Sequence, residues 1–380
     1  MNDFLTLGGI AVAIGLLAEF GMRFYLNNFG RAMVWQPNSK LHMHMDQDVL
    51  PELETLVRSE ANSLGERGDE IPTDKDSYRI LVIGGSAAEC FYLDKDSGWP
   101  GVTKSILNQP ENLALLGKEH VHLGNVARAG VGAVGLEKML DALLPQYDHI
   151  DLVLCMVGAS DILRWFSRGA KANDDEPDIN AADYMAFLPS KKYSWHPKKT
   201  ALASFLRHKL KSRRTEPEVR ENTGQRVRAL RKMRGEASTK RKETGDPTRM
   251  LDRFAKSFRR ILVECSKKSS RVVVVRQPWF EKEHTEKEES FFWNAAQGDP
   301  FKETCDTYFD TSMIKERMRD MDNRAAQIAE DLNIQHIDLM PHLDMSRATF
   351  YDFYHYTPEG ARKLGEVVAK EVLAGLKQED

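Results

Sequence analysis

Apolar positions along the chain follow three different patterns. Phe4 to Ala18 carries no charge, and with the Glu19 carboxylate turned toward a surface the run extends to Met22. At ~1.5 Å per residue such a helix is roughly 28 Å long, which matches a bilayer core. Residues 24–76 lack a sustained period and contain Pro37, Pro51 and Pro72, the pattern of a connector. From Ser77 onward, short aliphatic and β-branched runs recur at Arg79–Ile83, Val121–Leu123, Ile150–Val157, Arg271–Val275 and Ile334–Leu339. Each ends in polar or Gly-rich sequence. Between them lie helical patterns near Trp99–Leu107, Leu136–Leu144, Met250–Cys265 and Ile314–Leu332. Thr357-Pro358 opens a last helix, with threonine as N-cap and proline at the first helical position. Strands alternating with helices predict an α/β fold, a central parallel sheet covered on both faces.

Residues 167–248 interrupt that alternation. Lys209-Leu210-Lys211-Ser212-Arg213-Arg214 and Lys240-Arg241-Lys242 make the stretch basic, and it has no sustained apolar period. It is predicted as a polar insertion that divides the α/β domain into 77–166 and 249–376. A solvated loop and a basic surface for anionic lipid headgroups or an acidic polymer are the two alternatives. Aromatic side chains hardly interleave with these charges, so no nucleic-acid groove is expected. The whole chain balances 54 Lys+Arg against 57 Asp+Glu, a net charge of -3 in 380 residues. With 29% charged and 41% hydrophobic residues it is neither disordered nor a polytopic membrane protein. Cys90, Cys155, Cys265 and Cys305 show neither C-x-x-C pairing nor zinc-ligand spacing, so buried unreactive thiols are expected.

Only Asp3 and the terminal amine precede the first apolar run, and no small-residue cleavage site follows it. Residues 1–23 are therefore predicted as an uncleaved single membrane anchor rather than a signal peptide. Arg23, Arg31 and Lys40 follow the run, and the positive-inside rule alone would place the large domain in the cytoplasm.

Residues able to do chemistry stand just after the predicted strands. Ser86 follows the first, Gly130 the second, and Ser160-Asp161 the third, while Asp352 and His355 precede the last helix. Ligands in open α/β sheets bind outside the carboxyl ends of the strands, so these positions converge on one edge. Ser86 in Gly84-Gly85-Ser86-Ala87-Ala88 is either a helix N-cap or a nucleophile presented at a helix start. Asp352-Phe353-Tyr354-His355 offers a base with an orienting carboxylate three residues earlier. The α/β-hydrolase elbow G-x-S-x-G does not fit, because Ala88 occupies its last glycine. Two further patterns compete. Gly130-Val131-Gly132-Ala133-Val134-Gly135 is a literal G-x-G-x-x-G, with Asp161 as a distant ribose ligand, and would make the chain a dinucleotide-binding enzyme. His42, His44, Asp46 and Asp48 would share one face of a strand, either as metal ligands or as a solvated face. The solvated face is expected, with no metal or cofactor.

These blocks resemble those of the SGNH (GDSL) hydrolases, in particular a membrane-anchored bacterial branch. Gly84-Gly85-Ser86 resembles the first block and Gly124-Asn125-Val126-Ala127-Arg128-Ala129-Gly130 the second. Val157-Gly158-Ala159-Ser160-Asp161 resembles the third and Asp352-Phe353-Tyr354-His355 the fifth. The anchor end Glu19-Phe20-Gly21-Met22-Arg23 and Arg276-Gln277-Pro278 also resemble that branch. The resemblance covers about residues 77–376. It implies a flavodoxin-like three-layer sandwich and a Ser86–His355–Asp352 triad. It also implies an oxyanion site from Ser86, Gly130 and Ser160, and acyl or acetyl esters of cell-envelope glycans or lipids as substrates. Such substrates favour the outer face of the membrane, against the charge rule. Gly85 replaces the Asp of G-D-S, and Ser160 replaces the Asn that donates to the oxyanion. The second change leaves a weakened enzyme, or a non-catalytic scaffold holding a glycan or partner at the membrane, as an alternative.

Overall fold

Ile80, Leu81, Val82 and Ile83 are all buried, so the strand that carries them is covered on both faces. The computed structural model describes residues 2–173, 177–212 and 216–376. In chain order it begins with α1 (Asn2–Phe29), β1 (Lys40–Met45), β2 (Leu56–Glu60), β3 (Ser77–Gly84), α2 (Ser86–Glu89), α3 (Trp99–Leu107) and α4 (Pro110–Leu116). There follow β4 (His120–Asn125), α5 (Ala133–Leu143), β5 (Ile150–Met156), α6 (Ala159–Ser167), α7 (Ala201–Ser212), β6 (Glu218–Thr223) and α8 (Gln225–Glu236). The chain ends with β7 (Thr239–Arg241), α9 (Thr248–Lys268), β8 (Ser269–Val275), α10 (Glu286–Glu289), β9 (Thr307–Phe309), α11 (Thr311–Asp331), β10 (Gln335–Ile337) and α12 (Pro358–Leu376).

The five runs read as core strands form one sheet in the order β10-β8-β5-β3-β4. Every pairing in it is parallel, with Ile80 opposite Leu152 and Val82 opposite Leu154. Numbered by chain order within the sheet, the strands run 2-1-3-4-5, the flavodoxin-like order, with its switch point between β3 and β5. Helices α3 and α12 pack together as one covering layer, and α5, α9 and α11 as the other. The expected three-layer α/β architecture is therefore present. Thr357 caps α12 as expected, its hydroxyl accepting the Gly360 N–H at 3.0 Å.

The connector and the basic insertion depart from expectation by joining one another. Strand β1 pairs antiparallel with β2 and parallel with β6, which comes from inside the insertion. Met43, Met45, Leu50 and Val57 belong to the main core. The segment after the N-terminal apolar helix is thus packed into the body. Met43 and Met45 point inward while His42 and His44 point outward, and no cluster able to hold a metal is present among the described residues. All four cysteines are free and buried, and burial pushes the Cys90 thiol up to about 12.

Helix α1 is long and apolar enough over Thr6–Phe29 to cross a membrane. Residues 6–18 are exposed on every side, and protein cover begins at Glu19 and Leu26.

Candidate active site

Strand β3 ends in a glycine because the backbone demands it. Gly84 has φ +151°, and a Cβ there would run into the Met156 carbonyl of β5. The chain turns at Gly85, the N-cap of α2, and Ser86 is the first helical residue. Its hydroxyl is therefore not a cap. It lies 2.8 Å from Nε2 of His355, on the loop before α12. Nδ1 of the same ring lies 2.7 Å from Oδ2 of Asp352. An ionised carboxylate only accepts, so Nδ1 carries the proton and Nε2 is left to accept from Ser86.

Asp352 is fully buried but well supplied with donors. Its Oδ1 accepts the backbone N–H groups of Tyr354 and His355, each at 2.7 Å, and Oδ2 also accepts from Asn294 Nδ2 at 3.2 Å. Burial pushes the Asp352 carboxyl up, but the His355 charge and these hydrogen bonds outweigh it and hold it below its ordinary value. Burial pulls His355 down, yet the charge and hydrogen bond of Asp352 win and raise it above 6.5. The Tyr351 ring stacks on the imidazole, with centroids 5.7 Å apart at 14°.

Three residues with polar groups border the same space. Gly130 sits in a left-handed turn, φ +74°, after β4. The N–H groups of Ser86 and Gly130 have no protein acceptor among the described residues. One residue earlier, the Ala129 N–H lies near the buried Glu89 carboxyl, which burial pushes above its ordinary value. Arg128 lies 3.7 Å from that carboxylate and over the Trp35 ring at 4.1 Å. Ser160 stands in the first turn of α6, almost buried, with its hydroxyl against Gly85. Gln277, just beyond β8, fixes that helix start by accepting the Ala159 N–H at 3.2 Å. Ser86, Gly130, Ser160 and His355 all line one cavity of about 600 Å³.

No family model matches the chain, and no curated protein matches it. Among solved structures it is similar to an acetylxylan esterase from Geobacillus stearothermophilus at 13% identity and a TM-score of 0.41, over 78% of this chain and 94% of that one. A member of the lipolytic protein G-D-S-L family from Veillonella parvula is similar at 10% identity and a TM-score of 0.39, over 77% and 96%. An alpha/beta hydrolase enzyme from the metagenome of Lake Arreo, Spain, is similar at 11% identity and a TM-score of 0.42, over 79% and 95%.

The dinucleotide alternative fails on geometry. Helix α5 does start after Gly132, but its first N–H, that of Ala133, donates to both carboxylate oxygens of Asp161 at 3.0 and 3.1 Å. A Cβ at Gly132 would sit 2.6 Å from Asp161 Oδ1. The protein's own carboxylate fills the place a pyrophosphate would take, and Asp161 is a helix cap rather than a ribose ligand.

Several site residues carry no signal in the sequence. Asn294 lies in an irregular loop and is known as a partner of Asp352 only from the fold. The cavity walls include Phe91, Tyr92, Trp293 and Phe301, together with Val227 and Leu230 of α8. Helix α8 belongs to the basic insertion, which therefore reaches the site. Its inward positions Val227, Leu230 and Arg234 recur at helical spacing in an otherwise charged stretch, the one pattern that marks them.

Proposed function

We propose that the chain is a serine-dependent hydrolase of carboxylic esters. The observation that carries this is the continuous relay Ser86–His355–Asp352, with 2.8 and 2.7 Å links, opening on a cavity at the switch point of the sheet. Ser86 Oγ attacks the ester carbonyl as its proton passes to His355 Nε2. Asp352 keeps the ring oriented and balances the imidazolium charge. The N–H groups of Ser86 and Gly130, joined by the Ser160 hydroxyl, receive the oxyanion. His355 then gives the proton to the departing alcohol, leaving an acyl group on Ser86. A water molecule, deprotonated by His355, attacks that acyl group. The acid is released and Ser86 regains its proton.

The mixed aromatic and aliphatic walls fit a sugar ring or an acyl chain beside the scissile bond. With the resemblance to the anchored SGNH branch, this supports acyl or acetyl esters of envelope glycans or lipids as substrates. Helix α1 serves as a single anchor that keeps the site at the membrane surface. Hydrolysis of 4-nitrophenyl acetate by the purified chain tests the reaction. It should vanish in His355→Ala with the circular dichroism spectrum unchanged, whereas equal turnover in that variant would exclude the mechanism.

A further inference from the structure

Trp195 packs on α1 at the turn where that helix ceases to be bare. Its ring meets Phe20 edge-on at 5.4 Å, and the Arg23 guanidinium lies over it at 4.2 Å. Arg23 also reaches the Ser194 carbonyl at 3.4 Å. Just beyond, the Glu19 carboxylate accepts the first two N–H groups of α7, from Ala201 and Leu202, each at 2.9 Å. Glu19 also accepts from Arg23 Nε at 2.7 Å. These contacts fix residues 190–200 at the height of Glu19 to Arg23. At ~1.5 Å per residue, Glu19 stands about 20 Å along the helix from Thr6. Leu7, Ile10, Val12, Ile14 and Leu17 below it are exposed.

The composition of this segment is one-sided. Ser190 to Thr200 contains Lys191, Lys192, Lys198, Lys199 and His196, with no Asp or Glu. All four lysines are exposed, and none has a carboxylate partner among the described residues. Trp195 is 55% exposed, and Phe20 and Phe24 beside it are 58% and 67% exposed. An aromatic side chain among lysines, where an apolar helix meets the protein body, is the chemistry of a lipid headgroup layer.

We propose that residues 190–200 form a collar that lies on the surface of an anionic phospholipid bilayer, with Trp195 at headgroup depth and the four lysines against lipid phosphates. This rests on α1 spanning that bilayer. Since Glu19 and Arg23 tie the collar to the anchor, its engagement would fix the tilt of the catalytic domain over the membrane. The lysines are set apart from the cavity walls, so the collar acts on placement and not on the reaction.

The test uses the full chain in nanodiscs of phosphatidylcholine, with and without phosphatidylglycerol. Amide hydrogen exchange is followed over 190–200, which has little backbone hydrogen bonding of its own. Exchange should slow severalfold when phosphatidylglycerol is present. The variant carrying Lys191→Gln, Lys192→Gln, Lys198→Gln and Lys199→Gln should lose that difference while hydrolysing a soluble ester as before. Equal exchange in both lipids, with the chain still resistant to alkaline extraction, overturns the collar and leaves the span standing. A chain released by alkaline extraction overturns both. Protection reproduced by soluble glycerol phosphate in phosphatidylcholine discs overturns the bilayer as the ligand.

Discussion

His355 Nε2 lies 2.8 Å from Ser86 Oγ although the two residues are 269 positions apart. One ends the turn after the first strand of the central sheet, and the other precedes the last helix. Their meeting depends on the whole α/β domain being closed. Removing the imidazole in His355→Ala should lower kcat by about 10²–10⁴-fold, the usual contribution of a general base. Ester hydrolysis measured beside a thermal melt checks it, since the loss should come without loss of the fold.

Asp352 holds His355 above the ordinary imidazole value, and the base must be neutral to act. Plotted against pH, kcat/KM should therefore rise with a midpoint above 6.5. In Asp352→Asn the midpoint should move down, because the charge that favours the imidazolium is gone. The rate should fall by about 10³–10⁴-fold, since an amide no longer enforces the Nδ1–H tautomer. Full pH–rate profiles of both proteins read the two effects separately.

Ser160 offers a shorter donor than an asparagine would. If its hydroxyl holds the oxyanion, Ser160→Ala should lower kcat by about 10-fold or more and leave KM nearly unchanged, because the contact forms only in the transition state. Steady-state kinetics on one soluble ester measure it. Equal kcat would assign oxyanion binding to the Ser86 and Gly130 N–H groups alone.

Asp161 caps α5 through the Ala133 N–H. Asp161→Ala should destabilise the fold by about 0.5–2 kcal/mol, as loss of a cap does, seen in denaturant melts. Calorimetric titration of the unaltered chain with a dinucleotide should give no binding heat.

The central sheet was legible because its strands are buried on both faces and read as unbroken apolar runs. Leu152 to Met156 and Val273 to Val275 are examples. That Ser86, His355 and Asp352 would meet was legible from a serine after a Gly-rich turn and a D-x-x-H before a helix start. The small sheet was not. Strand β6, Glu-Val-Arg-Glu-Asn-Thr, has no buried residue, so no apolar period announces it. Strand β1 hides its inward Met43 and Met45 among histidines that suggested a different chemistry. Asn294 was out of reach because an asparagine in a loop gains its role only from what folds against it.

Labelling of the full chain with a fluorophosphonate tests the central claim most directly. An activated serine predicts covalent labelling that disappears in Ser86→Ala and is strongly slowed in His355→Ala. A folded chain that resists the probe, or that labels equally in Ser86→Ala, would contradict it.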